Sequence, residues 1–161
     1  MRIHEDKPEL VVVCPPCTLF SSLQNLSPNG LPSKRCPERW KEALEMLKFA
    51  VEVCLIQHRA GRLFVFEHPS TATSWEDPSL KELVQTSGVL ISLLDMCRYG
   101  MKATDTLGEG PVRKTTRIAT NSPEIADALS DRCEGGIDMF TWCRDVLSWQ
   151  QCTHRVFVAR S

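Results

Sequence analysis

The sequence predicts an α/β fold with a small, mainly parallel sheet flanked by helices. Two apolar runs and the segment between them carry that prediction. Residues 9–14 and 62–67 are rich in Val, Leu and Phe and do not alternate with polar residues, the pattern of strands buried on both faces. Residues 37–60 between them repeat their apolar side chains at helical spacing. Strand, long helix and strand form a βαβ unit, so the two strands are expected parallel, joined by a right-handed crossover. Both then finish on one edge of the sheet, where open α/β sheets hold their ligands.

Each element has its own signal. The first strand stops at Cys14-Pro15-Pro16-Cys17. Residues 18–36 are rich in Ser, Asn, Pro and Gly and read as a short helical start followed by a loop around Ser27-Pro28-Asn29-Gly30. The long helix opens on Pro37 and is closed by Gly61. Trp40, Ala43, Leu44, Leu47, Ala50, Val51, Cys54 and Leu55 form its core-facing stripe. The second strand, Arg62-Leu63-Phe64-Val65-Phe66-Glu67, runs into His68-Pro69. Asp77-Pro78-Ser79 starts a helix reaching about Thr86, with Asp77 as its cap. Residues 89–96 are apolar and fit strand or helix equally. Tyr99 to Pro111 reads as loop, Thr115–Thr120 as a further strand, and Asn121-Ser122-Pro123-Glu124 as a helix start with Ile125, Ala126, Ala128 and Leu129 on one face. The domain is expected to occupy residues 1–136. Residues 137–161 form a C-terminal tail whose packing the pattern does not dictate.

The bulk properties exclude several classes. The chain of 161 residues is one domain by length, large enough for a real core. Its net charge of −1 encodes no global attraction to nucleic acid, so any such contact would need a local basic patch. No apolar run approaches the roughly 18 residues of a membrane helix, so no membrane partner is expected. The segment Met1-Arg2-Ile3-His4-Glu5-Asp6-Lys7 is charged and does not read as a signal peptide. The eight cysteines are then expected as reduced thiols in an intracellular, reducing compartment. Cys54 and Cys97, among apolar neighbours, are expected as small core residues.

Chemistry concentrates at the strand ends. Pro15-Pro16-Cys17-Thr18-Leu19-Phe20-Ser21 follows the first strand and Glu67-His68-Pro69 follows the second. Here the chain resembles the DNA cytosine-5 methyltransferases, which carry Pro-Pro-Cys-Gln-x-Phe-Ser at one strand end and Glu-Asn-Val at the next. The match holds at Pro16, Cys17, Phe20, Ser21 and Glu67, and departs at Thr18, His68 and Pro69. A weaker echo of the family's Tyr-Gly-x-Pro-Gln and Arg-rich strand lies in Arg98-Tyr99-Gly100 and Pro111-Val112-Arg113-Lys114-Thr115-Thr116-Arg117. The resemblance spans roughly residues 8–120 and is closest to the divergent methyltransferase-like segments of some retroelement polyproteins.

The resemblance implies a partial Rossmann-like methyltransferase fold and S-adenosyl-L-methionine-dependent methylation of cytosine in DNA. It implies Cys17 as the nucleophile, Glu67 as the acid at the base and Arg117 as a phosphate or thiol-supporting contact. Pro16, Ser21 and Arg113 would bind substrate. The chemistry suits these residue types. Addition of a thiolate at C6 makes C5 electron-rich enough to attack a methyl donor. The base must leave the duplex stack to reach such a pocket. The family's Gly-rich donor loop, Phe-x-Gly-x-Gly, lies upstream of its Pro-Cys motif. Here only a handful of residues precede the strand bearing Cys17, so an N-terminally truncated domain is expected, inactive alone. The rest of a larger polyprotein, or a partner chain, would supply the donor half.

Other readings stay open. Cys14-Pro15-Pro16-Cys17 also fits a Cys-x-x-Cys redox pair of a thiol-disulfide oxidoreductase, with Pro69 as its partner proline, although no βα unit precedes it. A non-catalytic remnant of a mobile-element protein is another. The purely structural alternative for Cys17 is a buried thiol in a turn, for Glu67 a surface or capping carboxylate, and for Arg113, Lys114 and Arg117 a solvated basic patch. Cys133, Cys143, Cys152 and His154 have irregular spacing for zinc, so no metal site is expected.

Overall fold

The computed structural model describes residues 3–22, 24, 31–105, 108–133 and 157–158. A short helix, α1 (Ile3–Asp6), precedes strand β1 (Leu10–Val13). A 3-10 turn at Thr18–Phe20 follows, then the one-turn helix α2 (Pro32–Arg35) and the long helix α3 (Pro37–Arg59). Strand β2 spans Leu63–Pro69, helix α4 Pro78–Gln85 and strand β3 Leu90–Asp95. A hairpin, β4 (Lys102–Asp105) and β5 (Gly108–Pro111), forms a small sheet of its own. Strand β6 (Thr115–Thr120), helix α5 (Pro123–Ala128) and the two-residue strand β7 (Phe157–Val158) come last.

The main sheet has the order β3-β6-β2-β1-β7. Strands β1 and β2 are parallel neighbours, Val11 opposite Phe64 and Val13 opposite Phe66, as the βαβ pattern requires. The rest of the sheet departs from expectation. β6 lies antiparallel between β2 and β3, and β7 lies antiparallel on β1. The sheet is therefore mixed, not mainly parallel. The cause is the connection after β3: the described residues of 96–114 hold a turn and a hairpin but no crossover helix, so the chain reverses and pairs beside the strand it left. Because β2 and β3 both run against β6, β1, β2 and β3 all point their carboxyl ends to one edge.

Helix α3 forms as its sequence dictates. Pro37 occupies the first turn, and Gly61 follows the last turn at φ +67°, a left-handed conformation that glycine adopts without strain. Of its predicted stripe, Ala43, Leu47, Ala50, Val51 and Cys54 are buried, against Val11, Val13, Phe64, Phe66 and Ala119 of the sheet. Fully burying an aromatic such as Phe64 or Phe66 contributes roughly 2–3 kcal/mol. The fully buried Gln57 ties the end of α3 to both strands. Its Nε2 donates to Pro8 O (2.9 Å) and Leu63 O (3.1 Å). A second cluster on the other face joins Val65, Leu94 and Ile118 with Ile125 and Leu129 from and after α5. With both faces covered, β2 shows the unbroken apolar run that the sequence displayed.

Several smaller expectations resolve. Asp77 caps α4, accepting from Ser79 N at 2.9 Å, and Ser122 caps α5, accepting from Ile125 N at 3.2 Å. The 89–96 run resolves as strand β3 over Leu90–Asp95, and the described part of Tyr99–Pro111 is the end of a turn and two hairpin strands instead of loop. Cys54 is core, but Cys97 is not. β3 ends at Asp95, so Cys97 falls in the half-buried 3-10 turn Met96–Tyr99 beyond the sheet. The 136/137 boundary and Cys143, Cys152 and His154 lie outside the described residues. No described helix is long and apolar enough to cross a membrane.

Candidate functional site

The Pro-Pro-Cys segment and the Glu-His-Pro segment meet at the carboxyl edge of the parallel pair. β1 stops at Val13 because Pro15 and Pro16 cannot continue a ladder. Cys14, the next residue, is exposed, and Cys17 is half-buried at the head of the 3-10 turn, its carbonyl accepting from Phe20 N at 3.0 Å. Phe20 is buried and packs on Trp40 and His68, with ring centroids 5.2 and 5.7 Å apart. The Phe of the motif is thus the anchor of the turn. Pro16 and Ser21 are half-buried beside it. The turn is three residues long, not the helix that a thioredoxin-like Cys-x-x-Cys pair begins.

β2 runs two residues past Glu67, because β6 pairs with Glu67, His68 and Pro69. Alternation along β2 separates two environments. His68 faces the α3 side and is fully buried. Its Nε2 lies 3.2 Å from Pro15 O and its Nδ1 2.5 Å from Ser74 Oγ. A carbonyl oxygen can only accept, so Nε2 carries the proton and Nδ1 accepts from the Ser74 hydroxyl. Burial is the main cause that pushes His68 down to about 4, and the nearby Lys114 cation adds to it, while the carbonyls of Pro15 and Pro16 oppose it. At neutral pH His68 is therefore the uncharged ring this network needs. It clamps the Pro-Pro-Cys segment onto β2. That is a concrete role for the residue at which the chain departs from Glu-Asn-Val.

Glu67 faces the other side. Its side chain is 17% exposed, and Lys114 Nζ stands 3.9 Å from Oε1. Burial raises its affinity for a proton. Lys114, the Cys14 thiol and the Thr116 hydroxyl act against that shift, in that order. Thr116 approaches without closing a hydrogen bond of ordinary geometry: its Oγ1 and Glu67 Oε1 are both buried and without a hydrogen-bond partner. Buried polar atoms are nearly always satisfied, so two neighbouring exceptions set this spot apart.

The predicted residues are thus divided between places. Glu67 shares its side of the sheet with Cys14, Lys114 and Thr116, and Cys17 opens the turn three residues beyond Cys14. Arg117 lies on the opposite face from Glu67, its guanidinium carbon 4.8 Å from the centre of the Trp75 ring, with Trp75 packed on Phe66. Its Nε is buried without a partner. Arg113 turns to Asp95 at the end of β3, with Nε 3.7 Å from Oδ2. Asp95 is fully buried and accepts from Thr115 Oγ1 (2.5 Å), Cys133 N (2.9 Å) and Arg132 Nε (3.1 Å). Burial is the largest single influence and pushes Asp95 up, but these donors together hold it at about 2. Sequence reasoning missed Cys14, Lys114 and Thr116 as neighbours of Glu67. The signal was present, since both apolar runs end one residue before Cys14 and Glu67 respectively.

The described residues hold no glycine-rich loop of the kind the resemblance implies for S-adenosyl-L-methionine. The loops leaving β1 and β2 at the carboxyl edge are Cys14-Pro15-Pro16-Cys17 and Ser70-Thr71-Ala72, without glycine. The described glycines of positive φ lie elsewhere: Gly61 after α3, Gly88 before β3, Gly100 after a 3-10 turn and Gly108 in the hairpin. The sequence contains no Phe-x-Gly-x-Gly segment. Comparison with known proteins gives no match: no family model fits the chain, and no curated protein or solved structure is significantly similar.

Proposed function

We propose that the chain is a cytosine-engaging domain akin to the DNA cytosine-5 methyltransferases, equivalent to the catalytic half of a Rossmann-like fold. It forms the covalent contact with the base without completing methyl transfer on its own. One observation carries the reading: the strand leading to Cys17 and the strand bearing Glu67 are adjacent, parallel and in register, and end on a common edge. In this reading Cys17 adds to C6 of a cytosine taken out of the stack, and Glu67 serves ring N3. Burial holds the Glu67 proton to higher pH than an ordinary glutamate, the direction an acid at N3 needs. Pro16 and Ser21 line the turn against the base. Arg113, exposed beside Asp95, serves as a phosphate contact, and Arg117 acts from the Trp75 side. A methyl donor would have to be held by residues other than those described, so no step is assigned to it. The rest of a retroelement polyprotein is one such source.

The test is covalent capture. Incubation with single-stranded DNA carrying 5-azacytosine is expected to give an adduct stable in denaturing gels, lost in Cys17→Ser and weakened at least tenfold in Glu67→Gln. Labelled S-adenosyl-L-methionine is expected to transfer no methyl group to DNA with the isolated chain. An adduct that survives Cys17→Ser refutes the assignment of the nucleophile. Absence of any adduct favours a non-catalytic remnant.

A further inference from the structure

We propose that Cys14 is a second reactive thiol of this edge, a nucleophile that passes its proton to Glu67 and adds to small α,β-unsaturated carbonyl compounds with Lys114 at the carbonyl oxygen. The inference uses the same strand edge as the nucleobase reading but needs no nucleobase.

Position is the first argument. Val13 and Phe66 are the last register partners of β1 and β2, and Cys14 and Glu67 are the residues that follow them. Neighbouring strands lie about 4.8 Å apart, which sets the thiol and carboxyl side by side. The Cys14 thiol is one of the groups that favour the charged form of Glu67. Accessibility is the second. Cys14 is exposed while Glu67 behind it is mostly buried, so a solute meets sulfur first and the carboxyl group supports it from within. The third is unsatisfied polarity. Thr116 Oγ1 and Glu67 Oε1 are both buried without a hydrogen bond of ordinary geometry, and Lys114 Nζ stands 3.9 Å from that Oε1. The Lys114 ammonium therefore stands at the same spot as the carboxyl group that backs the thiol.

Charge supports the same reading. Thiol, carboxylate and ammonium sum to zero, and moving the proton from sulfur to Glu67 leaves the sum unchanged. A buried carboxyl group with raised proton affinity is also the better base. In the step, the Cys14 Sγ–H proton goes to Glu67 while a sulfur electron pair forms the S–C bond at the β-carbon. The electrons of the C=C bond move onto the carbonyl oxygen, where the Lys114 ammonium faces the enolate. Glu67 then returns the proton to the α-carbon. The net change is addition of S–H across the double bond, with no further reactant.

Acrylamide is the probe, reacted with the full chain at pH 7 and mapped by peptide mass spectrometry. Cys14 is expected to react at least tenfold faster than Cys17 and than an unstructured cysteine peptide. Glu67→Gln is expected to slow Cys14 at least tenfold while leaving half-buried Cys36 unchanged, and Lys114→Met to move its pH–rate profile to higher pH. Buried Cys54 reports folding in every variant, because only an unfolded chain exposes it. Should Glu67→Gln expose Cys54, the Lys114→Met profile decides, and an unshifted profile overturns the proposal. Cys14 reacting no faster than the free peptide overturns it as well. A 5-azacytosine adduct retained in Cys14→Ser and lost in Cys17→Ser upholds the nucleobase reading whichever way the acrylamide result falls.

Discussion

Acid should weaken this fold through one histidine, in a window set by its clamp on the Pro-Pro-Cys segment. His68 titrates at about 4 in the folded chain against an ordinary value of 6.5. In the unfolded chain it takes up a proton near 6.5, while the folded chain refuses it until about 4. Stability from this residue is therefore complete above pH 6.5, drains away as pH falls toward 4, and is flat below that. The gap between the two values corresponds to roughly 3 kcal/mol, a large part of a small domain's stability. Protonation would also abolish Nδ1 as the acceptor for Ser74. Glu67 works in the opposite sense: its raised value makes the charged form costly, so its contribution improves as pH falls toward its ordinary 4.5. Comparison of the chain with His68→Gln separates the two, because Glu67 is common to both. Urea unfolding followed by tryptophan fluorescence at pH 7, 6, 5 and 4 should show the parent losing about 3 kcal/mol more than the variant across that range. Parallel curves would refute both the buried neutral ring and the clamp argued from it.

Two further perturbations follow from the geometry. Asp95→Asn removes the charge that gathers Thr115, Arg132, Arg113 and the Cys133 amide, and should cost about 3 kcal/mol by chemical denaturation. The parent's Asp95 contribution should vanish only between pH 3.8 and about 2, because its folded value is depressed and stability is lost as pH falls through it. Ser122→Ala removes the cap at Ile125 N and should cost about 1 kcal/mol, with Ser122→Asp restoring most of it in thermal melts.

Much of the frame was readable because its signals are local. Pro37, the stripe from Trp40 to Leu55 and Gly61 define α3 from adjacent residues, and the two unbroken apolar runs define β1 and β2. Asp77 and Ser122 announce their helices in the same way. What escaped depends on distant partners. The place of β6 between β2 and β3 follows from a chain reversal through a hairpin whose residues, Lys102–Asp105 and Gly108–Pro111, show no apolar alternation. Their pairing rests on backbone bonds and the Lys102–Glu109 ion pair at 2.8 Å. The role of His68 depends on a carbonyl at Pro15 and a hydroxyl at Ser74, neither visible from its own neighbours. The separation of Arg117 from Glu67 is a matter of strand parity: Arg117 faces His68 across the ladder, and Glu67 faces Ile118.

The late position of β6 in the chain has a consequence for synthesis. β2 and β3 are made first, yet in the main sheet they are held together only by the strand at Thr115–Thr120 that enters between them. A nascent chain emerging from the ribosome therefore exposes the edge of β2 and the apolar side chain of Leu94 in β3, which packs on Ile118 of β6, until residue 120 has cleared the exit tunnel. Translation pauses before that point would prolong the interval in which these sticky edges invite chaperones or one another.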